Sequence, residues 1–279
     1  YEEEVMEPVE RFFWWIEERH RIFRRKNAGI SRDDWTKDEI LKSYRFTNPF
    51  RENDKTTIWF RENMRDPLKD QSEVLMATVI FRWFNLIETG ETLLSNNLHI
   101  DWKPELARQE IKKQSKYVTG GYIIKTPDGL DKVDGVIWCI DKMWKQRDNL
   151  INELKDSSLQ RSWHVVMQFP YQGPFMAYEI ITDLRHTHIL NQARDIYTWA
   201  NAGPGAMRGL NRIHGRELNY KGRNHDWNQE MFELLKFSPE YLSEKFPKLE
   251  MRDIEHSLCE FDKYERVRNG EGAPRGRYP

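Results

Sequence analysis

Apolar positions recur at helical spacing along most of the chain, and Gly, Pro, Asn and Asp punctuate the gaps between them. From Glu2 to Arg25, the residues Val5, Val9, Phe12, Phe13 and Ile16 alternate with acids first and bases last. That charge order suits a helix dipole and predicts a first helix. Thr36 and Glu39 read as a capping box before Ile40 to Tyr44, giving a short second helix that leads into YRFTNPFREND. Asn48-Pro49 must break that helix. Further helices are predicted from Asp54 to about Met64, from Ser72 through Trp83 or Phe84, and from Pro104 to Lys116. The Ser72 helix is apolar almost all round and is expected to be central.

The stretch YVTGGYIIKTPDG, with β-branched and aromatic residues between turn formers, is the one strand or hairpin candidate, near 117–130. Helical patterns resume at Lys132 to Leu154, Leu159 to Gln168, Pro174 to Arg185, Asn191 to Trp199, Gly205 to Ile213 and Trp227 to Lys236. The end, RVRNGEGAPRGRYP, is polar, basic and rich in Gly and Pro. It reads as a flexible or surface-draped arm. The expected organisation is a single all-α unit: an N-terminal helix over 1–33, a helical domain over 34–263 and a basic tail over 264–279.

Composition narrows the function classes. The chain has 279 residues, enough for one large domain or two lobes, and combines 32% charged residues with eleven Trp. A formal net charge of −1 gives no global pull toward a polyanion, so any nucleic-acid contact must come from local basic clusters. Cys139 and Cys259 form no CxxC pattern, which argues against a disulfide framework or zinc knuckle and fits a reducing cytoplasm. No apolar run approaches the roughly 20 residues of a membrane span, and YEEEVMEPVERFFWW lacks a signal-peptide layout. The start on Tyr1 fits a numbering that begins inside a longer product.

Several chemistries lack their motif. There is no GxxxxGK[ST] for a P-loop kinase, no HxE…PCxxC for a zinc deaminase and no GxSxG elbow. His186 and His188 point apart on a helix and have no evident third ligand.

Four constellations remain. In AGPGAMRGLNRIHG, Gly203-Pro204-Gly205 permits a tight turn into a helix whose free N–H groups can hold an anion, and Arg208 and Arg212 share one face. A phosphate site and a plain helix with a solvated basic face both fit. The stretch from Tyr44 to Lys55 packs aromatic, amide, guanidinium and carboxylate groups onto a loop, where function concentrates, though Asn53 or Asp54 as a helix cap is the plainer account. Glu179 and Asp183, four apart, face one way on an otherwise apolar helix, which suits acid/base work, metal binding or pairing with arginines. The run DIEHSLCEFDK, with Glu255, Glu260, Asp262 and Lys263, reads as a solvated charged face.

Taken in order, YRFTNPFREND, YVTGGYII, PFMAYEIITDL, WANAGPGAMRGLNRIHG and IEHSLCEFDKYERV resemble the alpha-glutamyl/putrescinyl thymine pyrophosphorylase superfamily of bacteriophage thymine hypermodification. That superfamily is related to the helical domain of 5-hydroxymethyluracil DNA kinases. The resemblance spans about Asp34 to Lys263. It implies an all-α fold akin to helix-hairpin-helix DNA glycosylases, with Gly203 and Gly205 in the hairpin that grips a DNA phosphate.

It also implies a reaction in which 5-pyrophosphoryloxymethyl-uracil in DNA loses pyrophosphate and receives an amine from an amino acid or polyamine, in a phage-infected bacterial cytoplasm. On that reading Arg51, Arg208 and Arg212 stabilise the leaving group, Glu179 or Asp183 acts as general base, and Asp54 orients Arg51 or the amine. Tyr44, Phe46 or Tyr122 would stack on a flipped base, and Asn48 and Lys263 complete the substrate set. The sequence assigns no cofactor with certainty, and Mg²⁺ is the one candidate, at the departing pyrophosphate. Two rivals stand beside this reading. One is a monofunctional glycosylase using Asp226, 21 residues beyond Gly205; a lyase is disfavoured by Met207 and Arg208 where it would want Lys. The other is a non-catalytic helical DNA-binding domain.

Overall fold

The computed structural model describes residues 6–155 and 157–278. Among them every regular element is helical, as the periodicity predicts, and the single β-type contact is an isolated antiparallel bridge between Tyr44 and Arg277. The elements in chain order are α1 (Pro8–Asn27), α2 (Glu39–Ser43), α3 (Lys55–Phe60), α4 (Asp66–Leu68), α5 (Val74–Phe84), α6 (Ile87–Ser95) and α7 (Pro104–Ile111), then α8 (Lys132–Trp144), α9 (Arg147–Leu154), α10 (Leu159–Met167), α11 (Pro174–Leu184), α12 (Pro204–Ile213), α13 (Trp227–Tyr241) and α14 (Met251–Arg268). None of them is long and apolar enough to cross a membrane.

The chain divides into two compact units rather than the single one expected. One combines residues 1–54 with 197–279, and the other is the insert 55–196. The division falls at neither 33/34 nor 263/264, because α1 packs on α12, α13 and α14 while α14 runs on to Arg268.

In the first unit, α1 starts at Pro8 behind a reciprocal Glu7/Glu10 capping box and ends on Arg24, Arg25 and Lys26. The expected start at Glu2 lies outside the described residues. Its buried stripe of Phe12, Phe13, Trp15, Ile16 and Ile22 sits at helical spacing. The cap of α2 is Asp38, whose side chain accepts from Leu41 N; Thr36 instead receives Asp38 N. The longest contact is α12 along α14. A Cβ built on Gly205 would overlap Cys259 Sγ, and one on Gly209 would fall 2.5 Å from the Leu258 carbonyl oxygen. These glycines let two backbones approach. The run read as a solvated charged face is therefore the buried helix of this unit, with Glu255, Glu260, Asp262 and Glu265 all buried.

In the second unit, all eleven residues of α5 are buried, including Arg82, and α11 and α8 pack against it. Asn85, in the left-handed region at φ 47°, ends α5. Beyond α3 the chain widens into a π-helical turn over Arg61–Arg65. The helix predicted over 132–154 is broken after Trp144, and the one from Pro104 stops at Ile111. The helix predicted over Asn191 to Trp199 is a series of turns. In the part that belongs to this unit, Asp195 accepts from Leu159 N and Gln160 N at 2.7 and 3.0 Å and so caps α10 from outside. The 117–130 segment forms no strand. Side chains and stray backbone groups hold it instead: Thr119 N donates to Phe84 O, Thr89 Oγ1 to Tyr117 O and Lys132 Nζ to Ile124 O.

Candidate functional site

The expected site residues fall into two clusters, one in each unit. In the first unit the loop 44–54 is closed by its own polar groups. Asn48 donates from its backbone N and from Nδ2 to Asp54 Oδ1, both at 3.0 Å, and from Nδ2 to Asn53 O at 3.1 Å. Two helices clamp the loop. Arg19 of α1 donates to Phe46 O through Nε and Nη2, and Glu260 of α14 accepts from Thr47 N at 3.0 Å.

On α14, His256, Glu260 and Lys263 stand at i, i+4 and i+7, so one helix face meets this loop. Thr47 Oγ1 lies 2.9 Å from His256 Nε2, which is also 3.8 Å from Asp54 Oδ2, and Lys263 pairs with Glu260. Burial works against the Lys263 charge, but Glu260 outweighs it and its pKa is raised. Arg51, 7% exposed, opens a 3₁₀ turn over Arg51–Asn53. The structure thus gathers Asn48, Arg51, Asp54 and Lys263, and adds His256 and Glu260.

Two expected stacking residues behave differently. Phe46 is a core ring, edge-on to Trp15 and tilted on Tyr264, so it offers no free face to a base. Tyr44 carries Arg277 over its ring at 5.0 Å and accepts from Arg277 Nη2 at 3.0 Å.

The basic face of α12 is not simply solvated. Arg208, Arg212 and Arg266 all converge on Asp262, at 2.9, 2.9 and 3.0 Å; burial works to raise its pKa, but Arg212 and Arg208 outweigh it and hold the pKa down. Arg212 gives both terminal nitrogens to Glu271, so its fork is fully engaged. Arg208 donates only Nε and has no further hydrogen bond among the described residues. Gly203 is the N-cap of α12 in extended backbone, at φ −74°, which any residue adopts. A Cβ there would stand 3.9 Å from Glu255 Oε1, so a carboxylate already lies near the positive end of this helix. Asp226 is exposed and caps α13, accepting from Gln229 N at 2.9 Å.

In the second unit, Glu179 and Asp183 share a face of α11, both buried. Asp183 receives a two-pronged contact from Arg82, Nε to Oδ2 at 2.6 Å and Nη2 to Oδ1 at 3.1 Å, with Arg65 at 3.6 Å. Arg82 also donates to Thr57 Oγ1 and Asn85 Oδ1. Glu179 instead accepts from the phenol of Tyr122 at 3.0 Å, and the Tyr122 ring meets Phe175 edge-on at 4.8 Å. Phe175 is 48% exposed, so a buried carboxylate is linked through a half-buried phenol to an exposed aromatic.

Comparison with known families decides the affiliation. The family described as "5-hmdU DNA kinase, helical domain" matches residues 6–273. The chain belongs to that family. The phage resemblance read from the motif order therefore holds for this helical domain. A 5-hmdU DNA kinase of Bacillus phage SP10 is 24% identical over 291 aligned residues, covering 91% of this chain and 44% of the relative. The chain thus spans less than half the length of that relative. No solved structure matches.

Within this helical domain, sequence reasoning missed His256 and the clamp by Glu260. The signal was present: Met251, Ile254, Leu258 and Phe261 carry a helical apolar stripe through the charged run. Among the described residues no group of three or more His, Cys, Asp or Glu is placed to hold a metal ion.

Proposed function

We propose that this helical domain acts on a 5-substituted thymine in phage DNA, and that it transfers an amino-acid or polyamine amine to 5-pyrophosphoryloxymethyl-uracil. The amine nitrogen forms a bond to the 5-methylene carbon, the carbon–oxygen bond breaks, and pyrophosphate departs with the electron pair. The proton shed by the amine passes to Glu179. The observation that carries this reading over a purely structural one is the Tyr122–Glu179 hydrogen bond beside exposed Phe175. A carboxylate kept from water but connected outward through a phenol suits proton transfer, and the adjacent rings suit a flipped pyrimidine.

Asp183 is a weaker base candidate than Glu179, because the Arg82 fork occupies both its oxygens. Its role is to fix α11 on α5. In the first unit, and apart from the Glu179 chemistry, Arg51 and Arg208 are the cations we assign to backbone phosphates of the DNA, and Asp54 with His256 holds the loop that carries Arg51.

A second reading, a helical DNA-binding domain serving a kinase, draws on the chain's spanning 44% of the phage relative. Nucleoside mass spectrometry separates the two. DNA bearing 5-pyrophosphoryloxymethyl-uracil is incubated with the protein and a pool of amino acids and polyamines, with and without Mg²⁺. A nucleoside with the mass of thymidine plus an amine establishes the transferase and names its donor. Unchanged DNA that the protein nonetheless binds supports the binding domain, and an abasic product supports a glycosylase.

A further inference from the structure

A second cluster of cations lies in the first unit, on α1 beside Phe50 of the loop 44–54. An open cleft of about 370 Å³ separates the last two turns of α1 from the turn at Ser243–Pro247. Arg21, Arg24, Arg25 and Lys245 line it, against one carboxylate, Glu17, and His20 lies among them. Its wall is fixed by rings. His20 meets Phe50 and Phe246 edge-on at 5.3 and 5.2 Å, and Phe50 stacks on Phe246 at 5.8 Å.

Helix electrostatics account for only part of this charge. The C-terminal end of a helix carries roughly half a negative charge, which one or two cations offset. Lys26 sits there over the rings of Trp35 and Tyr278, and Arg25 donates to the carbonyl oxygens of Asp34 and Trp35. Arg21 is paired with Glu18 at 2.7 Å. Arg24 and Lys245 have no ion pair among the described residues, and Lys245 comes from a different element altogether. In a chain of net charge −1, cations from two segments are thus held around one hollow with Glu17 the one carboxylate in its lining. Burial lowers the His20 pKa, with Arg24 and Arg19 adding to the effect, which accords with a positive potential at this spot.

We infer that this cleft binds a phosphate group, through Arg24 and Lys245 with Arg25 and Arg21 flanking. Two sources share that chemistry, a phosphodiester of the DNA backbone and free pyrophosphate. The DNA source rests on the proposed action on DNA, whereas the cleft itself does not.

The test compares wild type, Arg24→Ala/Lys245→Ala, and a charge-matched control, Lys103→Ala/Lys145→Ala, whose lysines lie in exposed surface pairs. Circular dichroism first verifies equal folding. DNA affinity is then measured by fluorescence anisotropy across a salt series, and inorganic pyrophosphate binding by calorimetry. For the DNA source, the cleft variant alone loses affinity and its log–log salt slope flattens by about two, one per lost phosphate contact. For the free source, DNA binding is unchanged or absent while pyrophosphate binding is lost in the cleft variant only. If the cleft variant matches wild type in both measurements, the inference is overturned. Absence of DNA binding by wild type would count against the DNA reading, and the pyrophosphate arm would still decide the cleft.

Discussion

Gly205 of α12 lies against Cys259 of α14 so closely that no side-chain carbon fits between them. The glycine in the Gly203-Pro204-Gly205 turn is thus required by helix packing. Gly205→Ala gains helix propensity of up to ~1 kcal/mol but overpacks the contact by ~1–3 kcal/mol. A net loss in urea-unfolding stability is expected, shrinking when Cys259→Ala removes Sγ. Equal losses in both backgrounds would show that the two residues are uncoupled.

The Arg82–Asp183 pair is buried on both sides, at 2% and 0% side-chain exposure. Arg82→Met removes the two-pronged partner of the buried Asp183 carboxylate and is expected to cost ~3–5 kcal/mol. The double variant Arg82→Met/Asp183→Leu should recover much of that, since the carboxylate goes with its partner and Arg65 keeps Asp66 at 3.2 Å. Chemical denaturation of the three proteins checks the ordering.

Burial pushes the Asp253 carboxyl from 3.8 up to about 7, despite the hydrogen bond it accepts from Glu250 N. A folded-state value above the unfolded one means that this contribution is complete below about pH 4 and is lost as pH rises through about 7. Asp253→Asn keeps an acceptor for Glu250 N and removes the titration. Its Tm should therefore exceed wild type by more at pH 8 than at pH 5. An unchanged difference between the two pH values would count against a raised carboxyl.

Asp226 caps α13, and Asn caps as well as Asp. Asp226→Asn is expected to leave both stability and amine transfer near wild type, whereas Glu179→Gln and Tyr122→Phe each lower the transfer rate, Glu179→Gln the more. Loss of all activity in Asp226→Asn would instead support excision of the base by that carboxylate.

Local chemistry made much of the helix pattern legible. The acid-to-base charge order over α1 and the nearly all-apolar run from Val74 to Phe84 each produce the element they predict. Errors arose where a segment's partner was distant. Asn191 to Trp199 has helical spacing, yet Asp195 is drawn across the start of α10 and the segment turns. The stretch 117–130 has strand-like residues but, among the described residues, no neighbouring strand to pair with.

The sequence by itself determined the all-α class, most helix positions and the residue types available for chemistry, because periodicity, caps and breakers act within a few residues. Only the tertiary structure decided what those residues face. Asp262 looks like a surface acid until arginines 50 and 54 residues away close on it, and Glu179 is one carboxylate among many until Tyr122 reaches it. A charge in a run of charges is solvated by default. It is buried only when distant segments bring enough opposite charge and hydrogen bonds to replace water, and no local pattern encodes that meeting.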